Sequence, residues 1–489
     1  MPGGQRVLLV APQGFAARAL LRTDVLSTLL AAGAAVTVLA PSDPVLAGEL
    51  GERGVALEPL GDVDGLVARS RVRRGFATLR YFTLGDGHRA ATLGVKARTA
   101  LGELAAQRPW TARAVRAVVR PLWRSERLRR GLLALEIALD RSALHAGVVA
   151  RVDPSLVVTT TPGLFPADAL VLREARRRGI RTAVVILGWD NPTAKGYRGA
   201  DVDLVIAWSE RMAAQLVRHH DIPAERIAVG GVPHFDRYLR PHARPDRTDA
   251  LGAVGADPSL RTIVFTTPSP DLWTFNAGVA EALAAAAEDG RLGVPAQVVI
   301  RPHPNFSLSR VRESAAPLAA VAARHPHVHL FTPELAPGAM TVATTAADVD
   351  RLAALLAHAD VLVNVFSTTT LEAFLVDTPV VSLSEAVGRP AYRSRPGGVR
   401  AWDEFAHLEG IQRAGATRVA RSLDELVAEV AAYLADPARD RDARARAVRD
   451  ECGPLDGHSG ERVAGLLLAA GRRPGDSAYR SIPWPTQRI

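Results

Sequence analysis

Arg6-Val7-Leu8-Leu9-Val10, the turn Ala11-Pro12-Gln13-Gly14-Phe15, and Ala35-Val36-Thr37-Val38-Leu39 decide the fold. Two short apolar runs flank an amphipathic helical stretch at residues 20–32, which Gly33 closes as a C-cap. Apolar strands separated by a helix are the pattern of a parallel sheet buried on both faces, joined by right-handed crossovers. The same rhythm returns at residues 155–160, 181–187, 204–208 and 226–229. After a polar, proline-containing stretch it resumes at 262–266, 297–300, 327–331, 361–365 and 379–383. Two such sets predict two α/β domains, residues 1–240 and 259–475, with a linker at 241–258 and a tail at 476–489. No G-x-G-x-x-G follows the first strand, so the dinucleotide fingerprint is absent.

A length of 489 residues suits two substantial domains, and 48% hydrophobic residues supply two cores. The single cysteine, Cys452, leaves no intrachain disulfide and no cysteine-based zinc site. The run Val7-Leu8-Leu9-Val10 is too short for a signal-peptide core, and no run approaches the ~20 apolar residues of a spanning helix. The expectation is a cytoplasmic protein.

The net charge of +9 is uneven. Residues 66–130 carry sixteen Lys/Arg against Asp86, Glu103 and Glu126, so the rest of the chain is slightly acidic. This excess falls in residues 61–148, which break the α/β rhythm and read as a basic helical insertion in the first domain. A concentrated patch attracts phosphates, whether of a lipid headgroup, a pyrophosphate-linked acceptor or a nucleic acid. The same pattern also fits a solvated arginine-rich face over its own core. An aromatic content of 5% and the lack of a base-reading motif argue against nucleic acid.

Three segments carry chemistry. Ile186-Leu187-Gly188-Trp189-Asp190-Asn191-Pro192-Thr193-Ala194-Lys195-Gly196 follows an apolar strand, where α/β sheets place ligands. Asp190 is a candidate base, and Lys195 suits a phosphate. Asp190-Asn191-Pro192 is also turn chemistry. In Val298-Val299-Ile300-Arg301-Pro302-His303-Pro304-Asn305 a strand ends at an arginine fit for bidentate phosphate contact and a histidine able to donate or protonate. In Asn364-Val365-Phe366-Ser367-Thr368-Thr369-Thr370-Leu371-Glu372-Ala373 a hydroxyl-rich turn opens a helix, an anion cradle with Glu372 placed for ribose hydroxyls. Thr369 and Glu372 also have capping-box spacing. Thr266-Thr267-Pro268-Ser269 ends the first strand of the second set, and Gly14 would let a loop approach a ligand. His325-Pro326-His327-Val328-His329 alternates like a surface strand, and no metal site is expected.

Together these segments resemble the GT-B glycosyltransferase superfamily, and more narrowly the bacterial surface-carbohydrate transferases related to CDP-glycerol glycerophosphotransferases. Asp221-Ile222-Pro223-Ala224-Glu225-Arg226, Gly231-Val232-Pro233-His234-Phe235-Asp236 and Gly453-Pro454-Leu455-Asp456-Gly457 add to the resemblance, which spans about residues 150–470. It implies two Rossmann-like domains facing across a cleft, the first binding the acceptor and the second a nucleotide-activated donor. By carry-over Arg301 and His303 contact the donor diphosphate, Ser367, Thr368 and Thr369 support it, and Glu372 holds the ribose; Thr266 and Thr267, at the same sheet edge, are donor-site candidates by position. Gly14, Trp189, Asn191 and Lys195 would meet the acceptor, with Asp190 and His303 catalytic and neither metal nor cofactor needed. The glycerophosphotransferase pattern has an acidic-aromatic-serine turn where this chain has Asn364-Val365-Phe366-Ser367. That departure favours a nucleotide sugar over CDP-glycerol.

The expected function is therefore sugar transfer to an acceptor hydroxyl in surface-glycan or glycoconjugate synthesis. The basic insertion would recruit an anionic lipid-linked acceptor at the inner membrane face. The alternatives are a CDP-glycerol or polyol-phosphate transferase, a non-hydrolysing UDP-sugar 2-epimerase-like enzyme, whose acidic catalytic set is not clearly placed here, and a non-catalytic basic binding protein.

Overall fold

The computed structural model describes residues 4–85, 90–240, 245–270, 273–307, 315–336, 338, 344–384, 386–388 and 405–471. The expected tail at 476–489 and residues 241–244 of the expected linker lie outside them.

The first sheet contains β1 (Arg6–Val10), β2 (Ala35–Ala40), β3 (Ala56–Pro59), β4 (Leu156–Thr159), β5 (Arg181–Val185), β6 (Leu204–Ala207) and β7 (Ile227–Val229). Every pairing is parallel, in the order β3-β2-β1-β4-β5-β6-β7. The second contains β8 (Arg261–Thr266), β9 (Ala296–Arg301), β10 (Val328–Leu330), β11 (Val361–Asn364), β12 (Val380–Leu383) and β13 (Arg418–Ala420). It too is parallel, in the order β10-β9-β8-β11-β12-β13. The runs that pattern them are buried on both faces: all four residues of β4, β6, β11 and β12 are buried, as are all six of β9. In each sheet the first strand lies between the second and the fourth, the Rossmann order, and ligands bind outside the strand ends where that order reverses. The reversal lies at β1–β4 in one sheet and at β8–β11 in the other. The chain is α/β, with two Rossmann-like domains.

The compact units divide the chain differently from the sequence reading. One holds the described residues up to 234 and those from 451 onward; the other holds 235–336 and 344–450. Helix Ser459–Ala470 falls within 259–475, where the sequence reads 460–468 as a closing helix able to pack back across the domain junction; it packs on helix Asp24–Ala31. A Cβ at Gly460 would lie 2.9 Å from that of Asp24, so only glycine permits this approach. The described residues of the expected linker, 245–258, are also folded. Helix Arg247–Gly252 is capped by Asp246, and the Arg247 guanidinium donates to the carbonyls of Pro258 and Leu260 and to Asp360. Those bonds tie it to the second sheet, through a partner more than a hundred residues away.

The first crossover holds two helices, Gly14–Leu20 and Asp24–Ala31, rather than one at 20–32. Thr23 interrupts them by accepting from the Val25 N–H and capping the second.

The described residues of 63–152 form six helices: Val63–Ala68, Arg71–Phe82, Ala91–Gln107, Pro109–Arg124, Glu126–Leu139 and Ala143–Val152. Their attachment uses part of the basic charge. Arg80 and Arg173 both pair with Glu136 (3.2 and 2.7 Å), and Arg73 and Arg173 with Asp140 (2.7 and 2.5 Å). Arg129 forks onto Asp221 at 2.7 and 2.8 Å, fully buried, and Tyr197 donates to the same carboxylate at 2.9 Å. Arg73, Arg80 and Arg129 are thus internal fastenings of the insertion. The arginines left for an external partner are elsewhere on it.

Candidate functional site

In the second unit, three loops meet at the strand-order reversal. Register sets Phe265 beside Val363 and Thr266 beside Arg301, so β8, β9 and β11 end together. Thr267 Oγ1 accepts from the His303 N–H at 2.9 Å, and Ser269 Oγ accepts from Asn305 Nδ2 at 2.9 Å, fastening the β8 and β9 loops. The Asn305 N–H donates to His303 Nδ1 at 3.0 Å. A neutral His303 therefore carries its proton on Nε2, the tautomer that presents a donor. Thr266 Oγ1 is buried without a hydrogen-bond partner in the described structure.

The β11 loop leads into helix Thr368–Leu375. Buried Asn364 donates to Ser367 Oγ (3.3 Å) and Thr370 Oγ1 (3.1 Å), shaping the turn. Ser367 is half-buried and Thr368 exposed, so the helix N-terminus opens to solvent, where its unpaired N–H groups and dipole favour an anion. The capping box is Ser367 with Thr370, not Thr369 with Glu372. Because the helix begins at Thr368 with Ser367 as its cap, Glu372 lies two residues further in than a cap at Thr369 would place it, in the second turn rather than the first, and it is buried.

Arg301 differs from the sequence reading. Its Nη1 and Nη2 donate to Asp348 Oδ1 and Oδ2 at 3.0 and 2.5 Å, and its guanidinium lies 4.2 Å from the Phe331 ring centroid. Both charges are buried. The fork that would grip a diphosphate already holds the β9 end to the first turn of helix Ala346–His358.

In the first unit, the β4 and β5 loops adjoin: the Leu187 N–H donates to the Thr160 carbonyl at 3.1 Å. Gly163 has φ +77°, and a Cβ there would lie 2.9 Å from the Ala200 N, so the β4 loop requires glycine. Trp189, expected to meet a ligand, is 3% exposed and donates through Nε1 to Glu451 Oε2 at 2.8 Å. Asn191 is likewise buried, and Gly14 is the buried first residue of an ordinary helix. Packing explains these three. Asp190 and Lys195 remain accessible, paired at 3.1 Å with about a third of each side chain exposed.

Sequence reasoning missed Lys96. It comes from helix Ala91–Gln107 and donates to the Ala194 carbonyl at 3.2 Å. Burial and the charge of Lys195 push its pKa down, against the pull of Asp190. A signal was available: the chain has only two lysines among its 60 basic residues, and both come to this loop. Asp168, in the first turn after β4, is fully buried, and burial pushes its carboxyl up to about 7 although Thr161 Oγ1 donates to it at 2.5 Å. Among the described residues no group of histidine, cysteine, aspartate or glutamate could hold a metal ion.

No protein-family model and no curated protein matches the chain. Solved structures do. The UDP-GlcNAc 2-epimerase from Neisseria meningitidis bound to UDP-GlcNAc is 11% identical, covering 95% of this chain and 100% of that one, with a TM-score of 0.56. The S. aureus MnaA–UDP co-structure is 12% identical over 95% and 96%, with a TM-score of 0.55. The glycosyltransferase from Rickettsia africae ESF-5 is 11% identical over 95% and 99%, with a TM-score of 0.50. At such identity the likeness shows the fold alone, two Rossmann-like domains of the GT-B type.

Proposed function

We propose that the protein transfers a sugar from a nucleotide-sugar donor to an acceptor hydroxyl. The observation that carries this is the set of polar loops at the β8–β11 reversal. There β8 and β9 end in Thr266, Thr267 and His303, and the neighbouring β11 leads into the hydroxyl-rich start of helix Thr368–Leu375; Rossmann folds hold nucleotides at such strand ends. In this reading the donor diphosphate lies at that helix N-terminus, with His303 Nε2–H as a further donor. Asp190, oriented by Lys195, takes the acceptor hydroxyl proton. The acceptor oxygen bonds to the sugar C1 as the bond from C1 to the diphosphate oxygen breaks, and the helix N-terminus stabilises the charge that develops on the leaving group. No resident cofactor enters this scheme. The acceptor we propose is lipid-linked and anionic, in surface-glycan or glycoconjugate synthesis.

The test is to incubate the protein with nucleotide sugars, with and without lipid-linked polyol or glycan acceptors, and to follow both nucleoside diphosphate and the sugar by NMR. Acceptor-dependent release of nucleoside diphosphate with a new glycosidic bond supports transfer. Inversion at the sugar C2 without an acceptor would replace it with the epimerase reading.

A further inference from the structure

Helix Pro109–Arg124 has two outward ridges. Its buried residues, Ala112, Val119 and Leu122, face the core of the insertion. On the opposite side Trp110, Ala114, Ala117, Val118 and Pro121 are all exposed, at the spacing i, i+4, i+7, i+8, i+11 of one helical face. Beside them Arg113, Arg116, Arg120 and Arg124 form a second exposed ridge, and the helix contains no acidic residue. Trp110 is 75% exposed, with the Arg113 guanidinium 4.9 Å from its ring centroid. Only Ser125 separates this helix from Glu126–Leu139, which packs against it and exposes Leu128, Leu135 and Leu139 along its own length. Nine large hydrophobic residues are exposed among the described residues, and seven of them lie between 72 and 144. Scattered exposed leucines need no explanation, but apolar side chains gathered on one element mark an interaction surface.

We propose that helix Pro109–Arg124, continued by the leucine ridge of the next helix, lies in the plane of an anionic lipid surface. Charge complementarity selects this occupant. An apolar ridge with tryptophan at one end and a continuous arginine flank is the arrangement that buries in the headgroup–acyl boundary while pairing with lipid phosphates. No described helix is long and apolar enough to cross a membrane, so this contact is of the in-plane kind. The inference deepens the reading of a lipid-linked acceptor and rests on it only for the acceptor's chemistry; docking itself is measured without substrate.

The full chain is floated with phosphatidylcholine vesicles, alone or containing about one third phosphatidylglycerol, at low and high salt. Binding should require the anionic lipid and weaken with salt. Trp110→Ser with Val118→Ser should reduce it at least tenfold. Arg116→Ser with Arg120→Ser should reduce it roughly thirtyfold, about fivefold per arginine near such a surface. The charge-matched control, Arg446→Ser with Arg449→Ser, should leave it unchanged. These positions are exposed, so all variants should keep the thermal midpoint and the nucleoside diphosphate affinity of the wild type, which separates failure here from failure of the donor reading. Three results overturn the proposal: no binding to anionic vesicles at low salt, equal loss in the control pair, or helix variants that change the protein's mass in solution rather than its vesicle binding. Preference for a single-stranded oligonucleotide over vesicles would also overturn it.

Discussion

Replacing Arg301 with methionine separates a structural arginine from a ligand-binding one. The side chain is buried, both terminal nitrogens are on Asp348, and Phe331 covers the guanidinium. Asp348 also accepts from the Glu334 N–H at 3.0 Å, a bond the substitution leaves in place. Removing one partner strands a buried carboxylate, which costs about 3–5 kcal/mol. In a cooperative unit of this size each kcal/mol moves the midpoint by roughly 2–4 °C, so the second unit should melt on the order of 10 °C lower. Arg301→Met combined with Asp348→Leu should recover most of that loss, because two apolar side chains replace a buried pair at little net cost. The assay is thermal denaturation followed by far-UV dichroism, paired with nucleoside diphosphate titration well below both transitions. Folded Arg301→Met should bind within a few-fold of wild type. An unchanged midpoint together with abolished binding would refute the reasoning and return the arginine to the donor site.

Asp168→Asn should stabilise the protein at pH 8. The folded-state pKa of about 7 lies above the ordinary value of 3.8, so the native state holds a proton that the unfolded state has lost, and wild-type stability falls as pH rises from about 4 to 7. That loss is on the order of 4 kcal/mol, and the asparagine variant should show a flatter pH–stability profile in urea titrations. A parallel profile would reject the raised pKa. Arg129→Met should destabilise the first unit by about 3–5 kcal/mol by stranding Asp221, read as a lower urea midpoint, with Tyr197 still bonded to the carboxylate. Lys96→Met should lower transfer turnover about tenfold and shift its pH profile while sparing donor affinity; an unchanged profile would make Lys96 only a fastening of the insertion.

The legible parts of the fold were those written in local pattern. β1, β2, β4 and β8 stand out as apolar runs, and the polar loops after β5, β9 and β11 stand out because they follow such runs. β3 and β13 escaped because Ala-Leu-Glu-Pro and Arg-Val-Ala are short edge strands with little apolar content. Partners distant in sequence hid the rest. Nothing near Arg301 announces Asp348, nothing near Arg247 announces Asp360, and nothing near Trp189 announces Glu451, so each looked available for a ligand or a linker. The basic insertion was visible as charge, yet charge alone did not distinguish half-buried Arg73 and buried Arg80 and Arg129, all held on carboxylates, from the exposed ridge of Arg113, Arg116, Arg120 and Arg124. Only burial at helical spacing separates them.

The donor site at the β8–β11 reversal is tested most directly by calorimetric titration of UDP, GDP, CDP, dTDP and ADP into the full chain, in chelator, alongside His303→Ala. One base family should bind the wild type, and His303→Ala should weaken that binding at least tenfold without lowering the thermal midpoint, because the half-buried imidazole belongs to a loop at the strand ends rather than to the core. A well-folded protein that binds none of the five, or binds one equally well without the imidazole, would contradict the assignment of this crevice to a nucleotide-activated donor.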